Sequence, residues 1–148
     1  MIIDSHCHAW AYWPYEPAVP DPESHGVVEQ LINQMDLHGV DQATIVSAQI
    51  GFNPDNNDYV ASAVRQYPKR LHQYADVDCS WSDTYHIRGA PQRLEAAAYK
   101  WPIKGFTHYL AEDDDGAWLT SQEGRDFFQV ANDLNLIASI ACLPHQQP

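Results

Sequence analysis

The residues best suited to hold a metal ion come first, at Asp4-Ser5-His6-Cys7-His8. Side chains two apart on a β-strand leave the same face. His6 and His8 therefore project together, and Cys7 points the other way. Two imidazoles on one face can lean toward one ion, with Zn–N distances of about 2.0–2.1 Å. A bare His-X-His is a weak signal. At the end of a first strand, preceded by Ile2-Ile3-Asp4, it becomes more specific. The plain alternative is a polar strand end with one histidine hydrogen-bonded and the other exposed. Cys7 reads as a small core residue rather than a nucleophile.

Other candidates are scattered. His108 ends a predicted strand, where it is either a substrate contact or ion ligand, or a partly buried, hydrogen-bonded histidine. His145 and Gln146 follow the last predicted strand. They suit hydrogen bonding to a hydroxylated substrate, or are simply polar residues near a terminus. Trp10 and Trp13 lie just past His8, and aromatic walls suit sugar rings, although loop aromatics commonly just pack. Trp81, Trp101 and Trp118 read as packing residues. His25, His38, His72 and His86 have no partner at ligand spacing and read as structural or surface residues.

The elements that must position these groups alternate. Ile2 to His6 reads as a strand. A loop rich in proline and aromatic residues follows, from Trp10 through Pro22, and its proline density excludes regular structure. Ser24 can cap a helix through Leu37, with Val27, Val28, Leu31, Ile32 and Met35 as its apolar stripe. Gly39 stops it. Ala43 to Ser47 is a buried strand. Asn56 to Gln66 reads as a helix stopped by Pro68, Leu71 to Val77 as a strand, Gln92 to Ala98 as a short helix and Ile103 to Leu110 as a strand. Ser121 to Leu134 then reads as a helix and Leu136 to Cys142 as a fifth strand. Alternation of this kind argues for βαβ units and a parallel α/β sheet with right-handed crossovers.

Two architectures fit. One is the first five strands of a (β/α)8 TIM-type barrel, a fold that typically takes about 250 residues. The other is an open doubly wound sheet, but no glycine-rich phosphate loop follows the first strand to support it. With 148 residues, 45% hydrophobic and 19% charged, the chain suits one globular domain spanning 1–148, with no repeat and no linker dividing it. A formal net charge of −12 argues against nucleic acid as a partner. No apolar run reaches the roughly 18 residues of a membrane span, so no membrane partner is expected. The start lacks a basic region followed by an apolar stretch, so the cytoplasm is the expected compartment. Three cysteines without CxxC spacing fit a reducing environment.

Ile2-Ile3-Asp4-Ser5-His6-Cys7-His8 resembles the first strand of amidohydrolase-superfamily barrels. Gly39-Val40-Asp41-Gln42-Ala43-Thr44-Ile45-Val46 resembles the second-strand signature of the amidohydrolase-2 family. Asn57-Asp58-Tyr59 leading to Tyr67-Pro68-Lys69-Arg70-Leu71 is similar to that family's entry to its third strand. Nothing resembles the GxHP segment of TatD-type nucleases. Ile103-Lys104-Gly105-Phe106-Thr107-His108, Trp118-Leu119 and Leu143-Pro144-His145-Gln146-Gln147-Pro148 are similar to the L-fuconolactonase-like sugar-lactone hydrolases of the family.

The resemblance implies the N-terminal part of a metal-dependent hydrolase barrel acting on a small-molecule lactone or related carbonyl compound. His6 and His8 would be ligands of a divalent metal, zinc first, with manganese or another ion as alternatives. His108, His145, Gln146 and Trp10 would be substrate contacts. Some members of the family decarboxylate, and some hydrolyse lactones without a metal. Thr107-His108 stands where the family has an Arg-His pair, so the guanidinium that would grip a carboxylate is missing. The resemblance puts a later histidine and the catalytic aspartate on strands beyond the fifth, which leaves the catalytic base unnamed. A non-catalytic barrel fragment is the reading outside enzymes. It would need a missing half or a second chain, and the open edge of the fifth strand would invite self-association.

Overall fold

In the computed structural model, residues 1–147 are described. They fall into two compact units, Met1–Tyr74 and Ala75–Pro148. The first unit holds β1 (Ile3–Cys7), α1 (Val28–His38), β2 (Gln42–Val46), α2 (Asn56–Gln66) and most of β3 (Leu71–Asp76). Ala43, Ile45 and Val46 of β2 are fully buried, as expected of a central parallel strand covered on both faces. It pairs in parallel with β1 and with β3, Ala43 lying opposite Leu71 and Val46 opposite Tyr74. Met35 from α1, Val60 and Val64 from α2, and Leu71 close a core over Ala43 and Ile45.

The register of β1 against β2 shifts between Asp4 and Cys7. This irregularity includes His6 and re-aims the strand end that carries the histidines. α1 begins at Val28, not at Ser24, with Val27 at its N-cap position. Ser24 is spent locally, its hydroxyl donating to Asp21 Oδ2 at 2.9 Å, the short-range bonding by which serine competes with helix. The predicted stop at Gly39 is present: its φ is 66°, and the chain leaves the helix through the left-handed conformation that glycine allows.

The second unit holds the end of β3, then α3 (Ala90–Lys100), β4 (Ile103–Tyr109), α4 (Ala117–Thr120), α5 (Gln122–Asp133) and β5 (Ile137–Ala141). β4 and β5 pair in parallel, with His108 opposite Ile140. Phe106 and Phe127 meet edge to face, centroids 5.0 Å apart, inside a core with Ala75, Leu94 and Ala97. α3 starts two residues earlier than the sequence suggests. The Glu123 carboxylate accepts the Gly89 and Ala90 N–H groups at 2.6 and 3.0 Å, and Pro91 sits in the first turn where no N–H is needed. The short helix α4 has no periodicity to betray it. It ends at Ser121, whose hydroxyl then caps α5 by accepting from Gly124 N at 3.0 Å.

The strands follow one another in the order β1-β2-β3-β4-β5. A doubly wound sheet reverses its strand order part-way. An unbroken succession of parallel strands with helices between them is instead that of a (β/α)8 barrel, carried here through strands one to five. Among the described residues, no helix is long and apolar enough to cross a membrane.

Candidate functional site

In the first unit, the His6 and His8 rings lie 5.1 Å apart at their centroids and nearly perpendicular, at 82°. His8 Nδ1 is 2.7 Å from the Val46 carbonyl oxygen at the end of β2. A carbonyl only accepts, so Nδ1 carries the proton and Nε2 keeps its lone pair. Burial lowers the His8 pKa, and His6 lowers it further against the pull of the Val46 carbonyl. A neutral ring with a fixed tautomer is the form a metal ligand takes. Between the two histidines, the Cys7 thiol donates to the Thr44 carbonyl at 3.4 Å. Burial, with help from Asp4, pushes it up to about 12. It is not a nucleophile at neutral pH.

The loop after His8 is aromatic and ordered. Trp10 is 4% exposed and stacks on His8 at 5.0 Å and 19°. Trp13 and Tyr15 meet Trp10 edge-on, at 6.0 and 5.1 Å. Two buried asparagines pin this loop. Asn56 Nδ2 donates to Ala9 O at 2.9 Å, while its Oδ1 accepts from Ala48 N at 2.8 Å. Asn53 exchanges bonds of 3.1 and 2.7 Å with the backbone of Tyr12. Neither asparagine stood out in the sequence, where Asn56 read only as the first residue of a helix. The indole nitrogens of Trp10 and Trp13 are buried without a hydrogen-bond partner.

In the second unit, His108 is fully buried at the end of β4. Its Nδ1 is 3.2 Å from the Val77 carbonyl oxygen and its Nε2 is 3.3 Å from Nε2 of His86. His86 Nδ1 in turn lies 3.2 Å from Asp114 Oδ2. His86, read from the sequence as lacking a partner, is thus joined to His108 and to Asp114. Spacing could not show this, because 22 residues separate the two histidines. The one available signal was position: His86 lies in the loop after a parallel strand, where barrel sites are built.

The surroundings hold this pair in place. Tyr85 donates its hydroxyl to Asp114 Oδ2 at 2.7 Å and accepts the Ala111 N–H at 3.0 Å. Trp118 lies parallel to His86 at 4.5 Å and 7°, and stacks on His108 at 5.0 Å. Burial lowers the pKa of both His86 and His108. For Asp114, burial pulls upward, but the bonds from Tyr85 and Gly116 N–H and the nearby histidines outweigh it and lower the carboxyl. Gln146 is buried, and its amide is taken up by backbone: Leu143 N at 2.7 Å, Ala111 O at 2.5 Å and Asp114 O at 3.0 Å. It holds the Asp114 loop. Gly116, at φ 74°, lets that loop lie against the Gln146 carbonyl, where any side chain would collide. His145 is exposed. Among the described residues, no group of three or more His, Cys, Asp or Glu side chains converges on one point. The fit to a metal is therefore that of paired ligands.

No family model and no curated protein matches the chain. Solved structures do. A probable 2-pyrone-4,6-dicarboxylic acid hydrolase from Acinetobacter baumannii, with citric acid bound, superposes with a TM-score of 0.66 at 21% identity, over 98% of this chain and 51% of that one. This is the fold of an incomplete (β/α)8 barrel. A 5-carboxyvanillate decarboxylase from Novosphingobium aromaticivorans with bound manganese gives 0.63 at 16% identity, over 95% and 50%. A 2,6-dihydroxybenzoate decarboxylase from Rhizobium gives 0.68 at 13% identity, over 97% and 51%. The chain spans about half the length of these proteins.

Proposed function

We propose that this chain provides the opening metal-ligand pair of a hydrolase acting on small cyclic esters, of the sugar-lactone kind, or on related carbonyl compounds. The observation that carries the reading is the hydrogen bond from His8 Nδ1 to Val46 O, which leaves Nε2 bare beside His6. The amidohydrolase resemblance of the first strand supports it. So does the bound manganese of one structural neighbour. The substrate that names another, a 2-pyrone, is itself a cyclic ester.

A divalent ion, zinc or manganese, would supply Lewis-acid chemistry, polarising a carbonyl and acidifying water. The chain's own residues do the rest. His6 and His8 would hold the ion as two of its ligands, and Val46 fixes the rotation and tautomer of His8. Trp10 walls the His8 side and shields it from bulk water. A catalytic zinc site takes about three protein ligands, so further ligands belong to this reading as well.

The test is metal content by mass spectrometry together with hydrolysis of aldonolactones followed by proton release. One metal equivalent and the turnover should both disappear in the His6→Ala/His8→Ala double variant, with affinity at that site weakened by more than ~100-fold. Turnover that survives chelation would establish a metal-independent lactonase instead. A chain with neither the metal equivalent nor turnover would be a non-catalytic fragment.

A further inference from the structure

We propose that the outer edge of β5 is a docking surface for a second copy of this chain, the two β5 strands pairing antiparallel about a two-fold axis at Ser139. β5 ends the sheet and pairs with β4 on one side. Ala141 O accepts from Leu110 N–H at 3.0 Å and Ser139 O accepts from the Thr107 hydroxyl at 3.3 Å, so the backbone groups of these two residues face β4. Backbone groups alternate sides along a strand. The N–H and C=O groups of Ala138 and Ile140 therefore face the free edge.

Edge strands are usually blunted against other chains by charge, proline or a bulge. β1, the other edge strand, carries the Asp4 carboxylate and a break in its register. β5 has none of these devices. Its register against β4 runs unbroken from Ile137 to Ala141, and it contains no proline. The sequence holds no charged residue from Leu134 to Pro148. Ile137 is left 56% exposed. The segment after β5 does not return along this edge. Gln146 is buried and bonds the backbone of Ala111 and Asp114, which ties that segment to the loop after β4.

Three features select a second copy as the occupant. The first is charge: chains of net charge −12 repel one another, and an uncharged strand is where two copies can meet. The second is size. Reversing Ile137-Ala138-Ser139-Ile140-Ala141 about its centre sets Ile137 against Ala141 and Ala138 against Ile140. Each large side chain then meets a small one, and Ser139 meets itself. The third is hydrogen-bond phase. Ala138 and Ile140 face outward, so they exchange both bonds across the axis, about four in all, with Ser139 as the non-bonded pair between them. A patch that contacts its own copy closes on itself, which gives a dimer rather than a filament. Two short strands make a small contact by the standard of stable dimers, so this one is reversible on dilution.

Sedimentation velocity of the whole chain across micromolar concentrations tests this. The mass should rise with concentration from 16.8 kDa toward twice that value. Ala138→Pro removes an outward N–H and leaves the β4 ladder whole, and Ser139→Lys sets like charges against each other at the axis. Both variants should stay monomeric, with circular dichroism checking that each is folded. Hydrogen exchange needs no variant, so it decides even where a substitution unfolds the chain. The Ala138 and Ile140 amides should exchange more than ~10-fold slower in the dimer, while the Ser139 amide, which faces β4, should not change. In a Cys142→Ser background, Ser139→Cys should cross-link two chains under mild oxidation, because a non-bonded pair stands about 4.5 Å apart at Cα, within reach of a disulfide. A chain that is monomeric at every concentration would overturn the proposal and leave the edge to the further strands of a longer barrel. A dimer retained in both folded variants, or exchange at Ala138 and Ile140 that ignores concentration, would overturn it too. His6 and His8 take no part in the pairing, so this proposal and the lactonase reading can fail independently.

Discussion

Each of the two units pairs two histidines, and the two pairs are built differently. In each, a histidine at a strand end donates Nδ1–H to a carbonyl at the end of the preceding or following strand: His8 to Val46, His108 to Val77. In each, a tryptophan stacks on that histidine at a centroid distance of 5.0 Å, Trp10 in one and Trp118 in the other. In each, the indole nitrogen is buried without a partner. The second histidine differs. His6 is two residues from His8 and its ring is nearly perpendicular. His86 is 22 residues from His108, its ring 22° from parallel with it, and Asp114 lies 3.2 Å from its Nδ1. A pair two residues apart at the end of β1 needs little beyond that strand and the Val46 carbonyl of its neighbour. A pair built from a strand and a loop needs a packed core to hold the loop still.

The largest expected effect follows from that dependence. Phe127 is fully buried and touches Phe106, His108 and Trp118, with centroids at 5.0, 5.8 and 5.5 Å. Phe127→Ala should cost about 3–5 kcal/mol in urea unfolding. It should also loosen the His86–His108 contact, read from the imidazole resonances in ¹H–¹⁵N spectra, while sparing metal at His6/His8. Equal loss at both pairs would break the comparison, because it would mean that the first pair leans on the second unit's core too.

The same contrast explains what the sequence disclosed. The helix from Asn56 to Gln66 is observed with the bounds its periodicity gives, since apolar spacing and Pro68 both mark it. That the His6 and His8 rings lie side by side was legible because strand alternation is a local rule. Three features were not. α1 starts at Val28 because Ser24 bonds Asp21 rather than the helix. α3 starts early because Glu123, a residue far along the chain, accepts its first N–H groups. His86 sits at φ 54°, a backbone state that non-glycine residues seldom adopt and that no local pattern announces. Its partners come from β4 and the loop after it, so only the fold brings them together.

A smaller effect separates the pairs by pH. His8, His86 and His108 all have folded pKa values lowered from 6.5, burial being the first cause for each. In the metal-free chain, the unfolded state then binds more protons between those values and 6.5. Stability is fully present above about pH 6.5 and is lost as pH falls below it. Asp114, also lowered, adds its loss only below its ordinary 3.8. Melting temperatures in chelator should therefore drop between pH 7.5 and 5.5. Two of the three histidines belong to the second unit, so His86→Gln/His108→Gln should flatten the drop more than His8→Gln does. The reverse order would place the dominant linkage in the first unit.

The smallest effect concerns helix starts. α5 in the second unit has a side-chain cap, Ser121 Oγ accepting from Gly124 N at 3.0 Å. α1 in the first unit has none: Val27 occupies its N-cap position with φ −72° and ψ 156°. Those angles already suit a capping residue. Ser121→Ala should lose about 1 kcal/mol in urea unfolding, with a plausible span of roughly 0.5–2. Val27→Thr keeps the branched shape and adds a hydroxyl within reach of the first-turn N–H groups. Of the two N–H groups such a hydroxyl reaches, that of Gln30 already donates to the Val27 carbonyl at 3.1 Å, so fewer donors await the new oxygen. Val27 is also partly buried, and its hydroxyl replacement gives up some apolar contact. The gain should therefore be smaller than the loss at Ser121, about 0.5 kcal/mol. A gain as large as that loss would show that the first unit's helix is limited by its cap. No gain would show that the first turn of α1 needs no further acceptor.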